Sequence, residues 1–206
     1  MAQKEKDAAL NEVRLLASIN IPYVIGYHGA FFDTLKHSLC IVMEYADGGD
    51  LQGKITELKD TTEEGFHETF VWKVAYEILS GLKILHKNKI IHRDIKSANI
   101  FFSNGIAKLG DLNVSKVAEH GMCTTQTGTP YYTSPEIWKG EKYTSKCDIW
   151  STGCLLYEMC TLTHPFKARD FPSLYRKVIV GNYDPIPSKY SQDLHDLIRL
   201  CLTVDD

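Results

Sequence analysis

The chain has 206 residues, 44% of them hydrophobic, with 23 Lys plus Arg against 26 Asp plus Glu and a formal net charge of -3. That length and apolar share suffice for one substantial core, and the charge balance gives no electrostatic reason to expect nucleic acid or an anionic membrane as partner. The opening MAQKEKD is charged where a secretory signal needs an apolar stretch, and no run approaches the ~20 apolar residues of a membrane span, so the expectation is a soluble, cytoplasmic protein. The six cysteines (Cys40, Cys123, Cys147, Cys154, Cys160 and Cys201) are scattered without Cys-x-x-Cys or zinc-site spacing, which reads as reduced thiols.

In chain order, Ala8, Ala9, Val13, Leu15, Leu16 and Ile19 recur at helical spacing and predict an amphipathic helix from Lys4 to Ser18, closed by Pro22. Val24 to Phe32 and Leu39 to Tyr45 are β-branched and aromatic runs around a polar stretch, which predicts a hairpin. The turn Ala46-Asp47-Gly48-Gly49-Asp50 then places Asp50 to cap a short helix through Lys59. Glu68 to Lys87 reads as a longer, mostly buried helix. Residues 91 to 135 are loops and short strands, and helical patterns follow near 145 to 162, 171 to 180 and 191 to 202. The change from strands to helices puts the hinge at 44 to 50.

The chemistry concentrates in His92-Arg93-Asp94-Ile95-Lys96-Ser97-Ala98-Asn99, which departs from the pattern H-R-D-L-x-x-x-N only by Ile for Leu. One carboxylate, Asp94, can orient a hydroxyl and accept its proton; Lys96 can meet phosphate charge, and Asn99 can offer an oxygen to Mg²⁺. Taken alone the segment is also an ordinary polar loop. A second motif, Lys108-Leu109-Gly110-Asp111-Leu112-Asn113, adds a carboxylate at Asp111, and two oxygen donors on neighbouring loops suit a cation that completes its shell with water and phosphate. A third, Gly128-Thr129-Pro130-Tyr131-Tyr132-Thr133-Ser134-Pro135-Glu136, follows a loop carrying Thr124, Thr125 and Thr127, hydroxyls that phosphorylation could order against Arg93. Asp148, near the start of an apolar helix, has to accept hydrogen bonds if buried, and the backbone of the His92–Asp94 loop is its expected donor.

With these motifs the chain resembles the protein-kinase superfamily over its whole length, and within it the NIMA-related kinases. The closer likeness rests on Leu10-Asn11-Glu12-Val13-Arg14-Leu15-Leu16, Ile41 to Leu51, Asn99-Ile100-Phe101 and Gly128 to Glu136. The resemblance implies an α+β kinase-like fold over 1–206, with a partial N-lobe at 1–45 (helix C plus two strands) and a mainly helical C-lobe at 46–206. It implies ATP and Mg²⁺ as cofactors and transfer of the γ-phosphoryl group to Ser or Thr of protein substrates, with Asp94, Lys96, Asn99, Asp111 and Thr129 catalytic and Asn99 and Asp111 on the metal. Met43 resembles the gatekeeper, Glu44 to Ala46 the adenine-binding hinge, Phe101 the adenine floor, and Asp50 joins them in the nucleotide site. Glu12 resembles the helix-C glutamate, and Leu16, Tyr27, His92 and Leu112 a stacked spine. By the same analogy an activating kinase or autophosphorylation would act at Thr125, and a role in division or at the cytoskeleton or cilium follows.

The pattern breaks in three places. No G-x-G-x-x-G and no V-A-I-K occurs, and the sequence ends before the arginine expected to pair with Glu136, so the reading is a kinase domain truncated at both ends. Asn113 replaces the glycine of the metal-binding tripeptide; Asn is the non-glycine residue best suited to positive φ. The competing reading is a catalytically incomplete, pseudokinase-like binding module.

Overall fold

The computed structural model describes residues 21–33, 35–36, 38–62, 64–112, 131–142 and 144–204. The helix expected over Lys4–Ser18, with Glu12 and Leu16, and the loop residues Thr124, Thr125, Thr127 and Thr129 lie outside the described residues, as do Asn113 and Cys123.

The hairpin forms from β1 (Tyr27–Asp33) and β2 (Ser38–Met43), paired antiparallel from Tyr27 opposite Met43 to Asp33 opposite Ser38, with a bulge between Tyr27 and Gly29. The β-branched run had suggested a strand beginning at Val24. Instead Val24 makes a single parallel bridge to Leu109, because the Leu109 backbone is engaged on both sides: its N–H donates to Tyr23 O at 2.9 Å and its carbonyl accepts from Ile25 N at 2.8 Å. This stretch thereby ties the hairpin to the second sheet, a hairpin of β3 (Ile100–Ser103) and β4 (Ile106–Leu109). Its two-residue turn, Asn104-Gly105, has positive φ at both positions (50° and 76°), the geometry that Asn-Gly supplies most readily.

Several of the helices start at a side-chain cap. In α1 (Leu51–Thr61) Asp50 Oδ1 accepts from Gly53 N at 2.7 Å, while Leu51 and Ile55, one turn apart, enter the core. In α2 (Glu68–Lys87) Val71, Val74, Ala75, Ile78, Leu82 and Leu85 form one buried stripe at helical spacing. After the short α3 (Pro135–Trp138), α4 (Lys146–Thr161) is buried along most of its circumference and forms the centre of the molecule. It carries Cys147, Trp150, Cys154, Leu155, Leu156, Met159 and Cys160 into a core closed by Phe166, whose ring stacks on Trp150 at 5.4 Å. Both α5 (Phe171–Val180) and α6 (Gln192–Cys201) are capped as well, by Asp170 and Ser191.

Candidate active site

The site grows from the junction of α2, α4 and the two loops that flank the second sheet. Asp148, in the first turn of α4 and 1% exposed, uses both carboxylate oxygens: Oδ2 accepts from His92 N at 2.9 Å and from His86 Nε2 at 2.7 Å, and Oδ1 accepts from Arg93 N at 2.8 Å. These bonds hold the loop at Arg93, whose φ of 69° lies in the left-handed region that a non-glycine residue occupies only when its surroundings impose it. The expected tether therefore exists, and His86 is a third donor that the sequence did not suggest.

His92 is fully enclosed, and burial drives its imidazole below the ordinary histidine range, with Asp148 opposing. A neutral ring has one donor and one acceptor, and both are used. Nε2–H donates to Gly110 O at 3.0 Å, and Nδ1 accepts from Asp94 N at 3.4 Å. Leu112 is buried and the Tyr27 phenol reaches the Leu112 backbone, two residues beyond the Gly110 carbonyl that His92 bonds.

Beyond this tether, Asp94 gathers the polar side chains. Lys96 Nζ donates to Asp94 Oδ2 at 2.9 Å, and Asn99 Nδ2 donates to Asp94 O at 2.8 Å and to Asp94 Oδ2 at 3.0 Å. Both partners of the Asn99 amide nitrogen are pure acceptors, which fixes which end of the carboxamide faces Asp94 and leaves its oxygen on the other side. Gly110 N donates to Asn99 O at 2.9 Å, so the loop ending in Asp111 is bonded directly to the loop bearing Asn99. Asp111 itself is exposed, with φ of 51°. An exposed carboxylate and a half-engaged carboxamide on joined loops fit a hard cation of the Mg²⁺ kind, which takes one or two protein oxygens and fills the rest with water and phosphate. Among the described residues no cluster of three or more His, Cys, Asp or Glu side chains suits a metal ion.

The positions expected to face a nucleotide follow the segment that joins β2 to β3. Gly48 N donates to Phe102 O and Phe102 N to Gly49 O, at 2.9 and 2.8 Å, fastening residues 46 to 50 to β3, and Asp50 bridges Phe101. Phe101 presses so closely on Gly110 that a Cβ there would lie 2.5 Å from its ring, which is why the residue before Asp111 has none. Glu44 has a structural engagement that the sequence did not reveal. Its carboxylate accepts from Lys108 Nζ at 2.6 and 2.8 Å and from Gly26 N at 3.0 Å, and its own N–H goes to Gly26 O at 2.7 Å. Burial acts to raise its pKa, yet these donors together hold it below the usual carboxylate range. Met43 and Ala46 flank it, Met43 being 47% exposed.

Four residues to which the sequence assigned no role, two of them inside the motifs, also converge here. Ser97, between Lys96 and Asn99 and 0% exposed, lies 2.7 Å from Gln52 Oε1 and 3.0 Å from the Tyr132 hydroxyl, which in turn donates to Glu158 of α4.

Known proteins share this arrangement of sequence. The protein kinase domain profile matches residues 1–206. Serine/threonine-protein kinase Nek5 of Mus musculus is 45% identical over 199 residues, covering 95% of this chain and 31% of that protein. The probable serine/threonine-protein kinases nek3 and nek2 of Dictyostelium discoideum are 42% identical over 212 residues and 40% over 210; each covers 100% of this chain, and 19% and 50% of those proteins. The chain thus spans half or less of the length of these curated relatives. No helix among the described residues is long and apolar enough to cross a membrane. Matched from end to end by one profile, with Nek kinases as its relatives, the chain belongs to the protein kinase domain family, on the NIMA-related branch that its motifs resemble.

Proposed function

We propose that the chain carries the phosphoryl-transfer machinery of a serine/threonine protein kinase, moving the γ-phosphoryl group of ATP to a Ser or Thr hydroxyl of a protein. The observation that carries this reading is the way Asn99 and Lys96 converge on one carboxylate, with Asp111 on the adjoining loop. Asp94 orients the acceptor hydroxyl and takes its proton as the new P–O bond forms and the bond from the γ-phosphorus to the β–γ bridging oxygen breaks, releasing ADP. Lys96, 2.9 Å from that carboxylate, offsets charge on the phosphoryl oxygens. Asn99, through its carboxamide oxygen, and Asp111 would hold Mg²⁺, which neutralises phosphate charge when bound. Met43, Glu44, Ala46, Asp50 and Phe101 line the seam where adenosine would lie, with the Glu44 side chain serving as a brace to Lys108. Thr129 is assigned to the acceptor side and Thr125 to regulation by phosphorylation; partners other than protein substrates are not part of this reading.

The test is thermal melting of the purified chain with increasing Mg·ATP. A ligand that binds only the folded state adds about 2.7 kcal/mol at a hundredfold excess over Kd. The midpoint should rise, and Asp111→Asn should abolish most of the rise. A cooperative melt with no shift at millimolar Mg·ATP overturns nucleotide binding by this chain and leaves the binding-module reading.

A further inference from the structure

Tyr132 is held to α4 at both of its ends. Its carbonyl accepts from Ser151 Oγ at 2.8 Å and its hydroxyl donates to Glu158. Ser151 and Glu158 are seven residues apart, two helical turns, so they lie on one face of α4 and the tyrosine lies along that face. Glu158 is 1% exposed. Burial acts to raise its pKa, and hydrogen bonding from Tyr132 and Ser97 opposes that. His164 Nδ1 stands 3.7 Å from the same carboxylate, but burial, with Lys59 and Lys167 adding to it, lowers that imidazole to about 4, so at neutral pH the contact is not an ion pair. The carboxylate therefore depends on hydroxyl donors.

The phenol has one hydrogen, and Glu158 takes it. Ser97 Oγ donates to Gln52 Oε1 at 2.7 Å, lies 3.0 Å from the Tyr132 hydroxyl and is within hydrogen-bonding reach of Glu158, which makes Ser97 the joint between α1, the segment at Tyr132 and α4. Ser97 also opens the 3-10 turn Ser97–Asn99, directly after Lys96. A shift of Ser97 displaces Lys96 on one side and Asn99 on the other, the two groups that converge on Asp94.

We propose that Ser97 and Tyr132 are positioning residues for phosphoryl transfer, a hydroxyl pair through which buried Glu158 sets the placement of Lys96 and Asn99 against the segment that begins at Tyr131. The consequence for transfer rests on the kinase reading above; the mechanical coupling does not.

The experiment compares the chain with Ser97→Ala, Tyr132→Phe and the double variant, using hydrogen–deuterium exchange of peptides covering residues 92–99 together with steady-state phosphorylation of a Ser/Thr peptide. Val178→Ala, a buried residue of α5, which contributes no side chain to the network, matches for a simple loss of stability. Each hydroxyl deletion should speed exchange in the 92–99 loop and lower kcat about tenfold, with KM for Mg·ATP within about twofold, as expected for losing one hydrogen bond's worth of placement. The double variant should be no worse than the more severe single one, because both break the same path. Unchanged loop exchange in Tyr132→Phe, or effects that simply add, overturns the proposal. If the parent chain transfers no phosphate, the kinase reading fails while the exchange data still decide the coupling.

Discussion

His164 shows how one side chain's surroundings set a pH response. Its ring stacks on Tyr131 with centroids 4.3 Å apart and meets Tyr132 edge-on at 5.3 Å. Burial, then Lys59 and Lys167, lower its pKa from 6.5 to about 4. Between those values the unfolded chain holds the proton and the folded chain does not, so the stability due to neutral His164 is complete above about 6.5 and is lost as pH falls toward 4. Glu158, its pKa raised, acts in the opposite sense, losing stability as pH rises above the ordinary carboxylate value. Urea denaturation of the chain and of His164→Phe from pH 7 to 4.5 should therefore show the stability difference moving in favour of the variant as pH falls; a constant difference would refute the assignment. Such pairings were hidden in the sequence. Glu158, His164 and Gln52 are ordinary residue types at no diagnostic spacing, Tyr132 lies in a motif that does not name its partners, and only the packing of α1 and α4 on the loop brings them together. The convergence of Lys96 and Asn99 on Asp94, with Asp111 on the adjoining loop, was legible because these residues stand at fixed spacing within short segments.

Among the elements, the longer helices were readable from the spacing of their apolar residues, and α1 also from its cap Asp50; Asp170 and Ser191 prove to cap α5 and α6, whereas α4 has no side-chain cap and the short α3 was not foreseen. Strand limits were less so, since Val24 and Ile25 have strand-like side chains but their backbones pair with Leu109 instead of the hairpin. The link between α4 and the loop after α2 is the one that holds the backbone next to Asp94 in place. Asp148→Ala would leave the N–H groups of His92 and Arg93 and the ring of His86 without their acceptor in a largely enclosed place. The expected cost is on the order of 3–5 kcal/mol, read from equilibrium denaturation, with Asp148→Asn less severe because an amide oxygen still accepts. A loss below about 1 kcal/mol, the scale of a single exposed hydrogen bond, would mean that water replaces the carboxylate there.

At the scale of the whole molecule, the helical part holds together around α4, while the first sheet leans on it through Val24, Ile25 and the Glu44–Lys108 pair. Cys147, Cys154, Cys160 and Cys201 are buried in that helical part and Cys40 sits half-buried in β2. Burial raises all four core thiols, to about 12 for Cys160 and about 11 for Cys201, so the folded core presents almost no thiolate at neutral pH. The packing therefore doubles as a clock. In native buffer an alkylating reagent followed by peptide mass mapping should, among the cysteines of the described residues, mark Cys40 first, and the four core positions should become modified together, at the rate at which the helical part opens cooperatively. If Cys201, near the end of α6, reacts well ahead of Cys154, that helix opens as a separate unit, and the molecule unfolds from its carboxyl-terminal side inward.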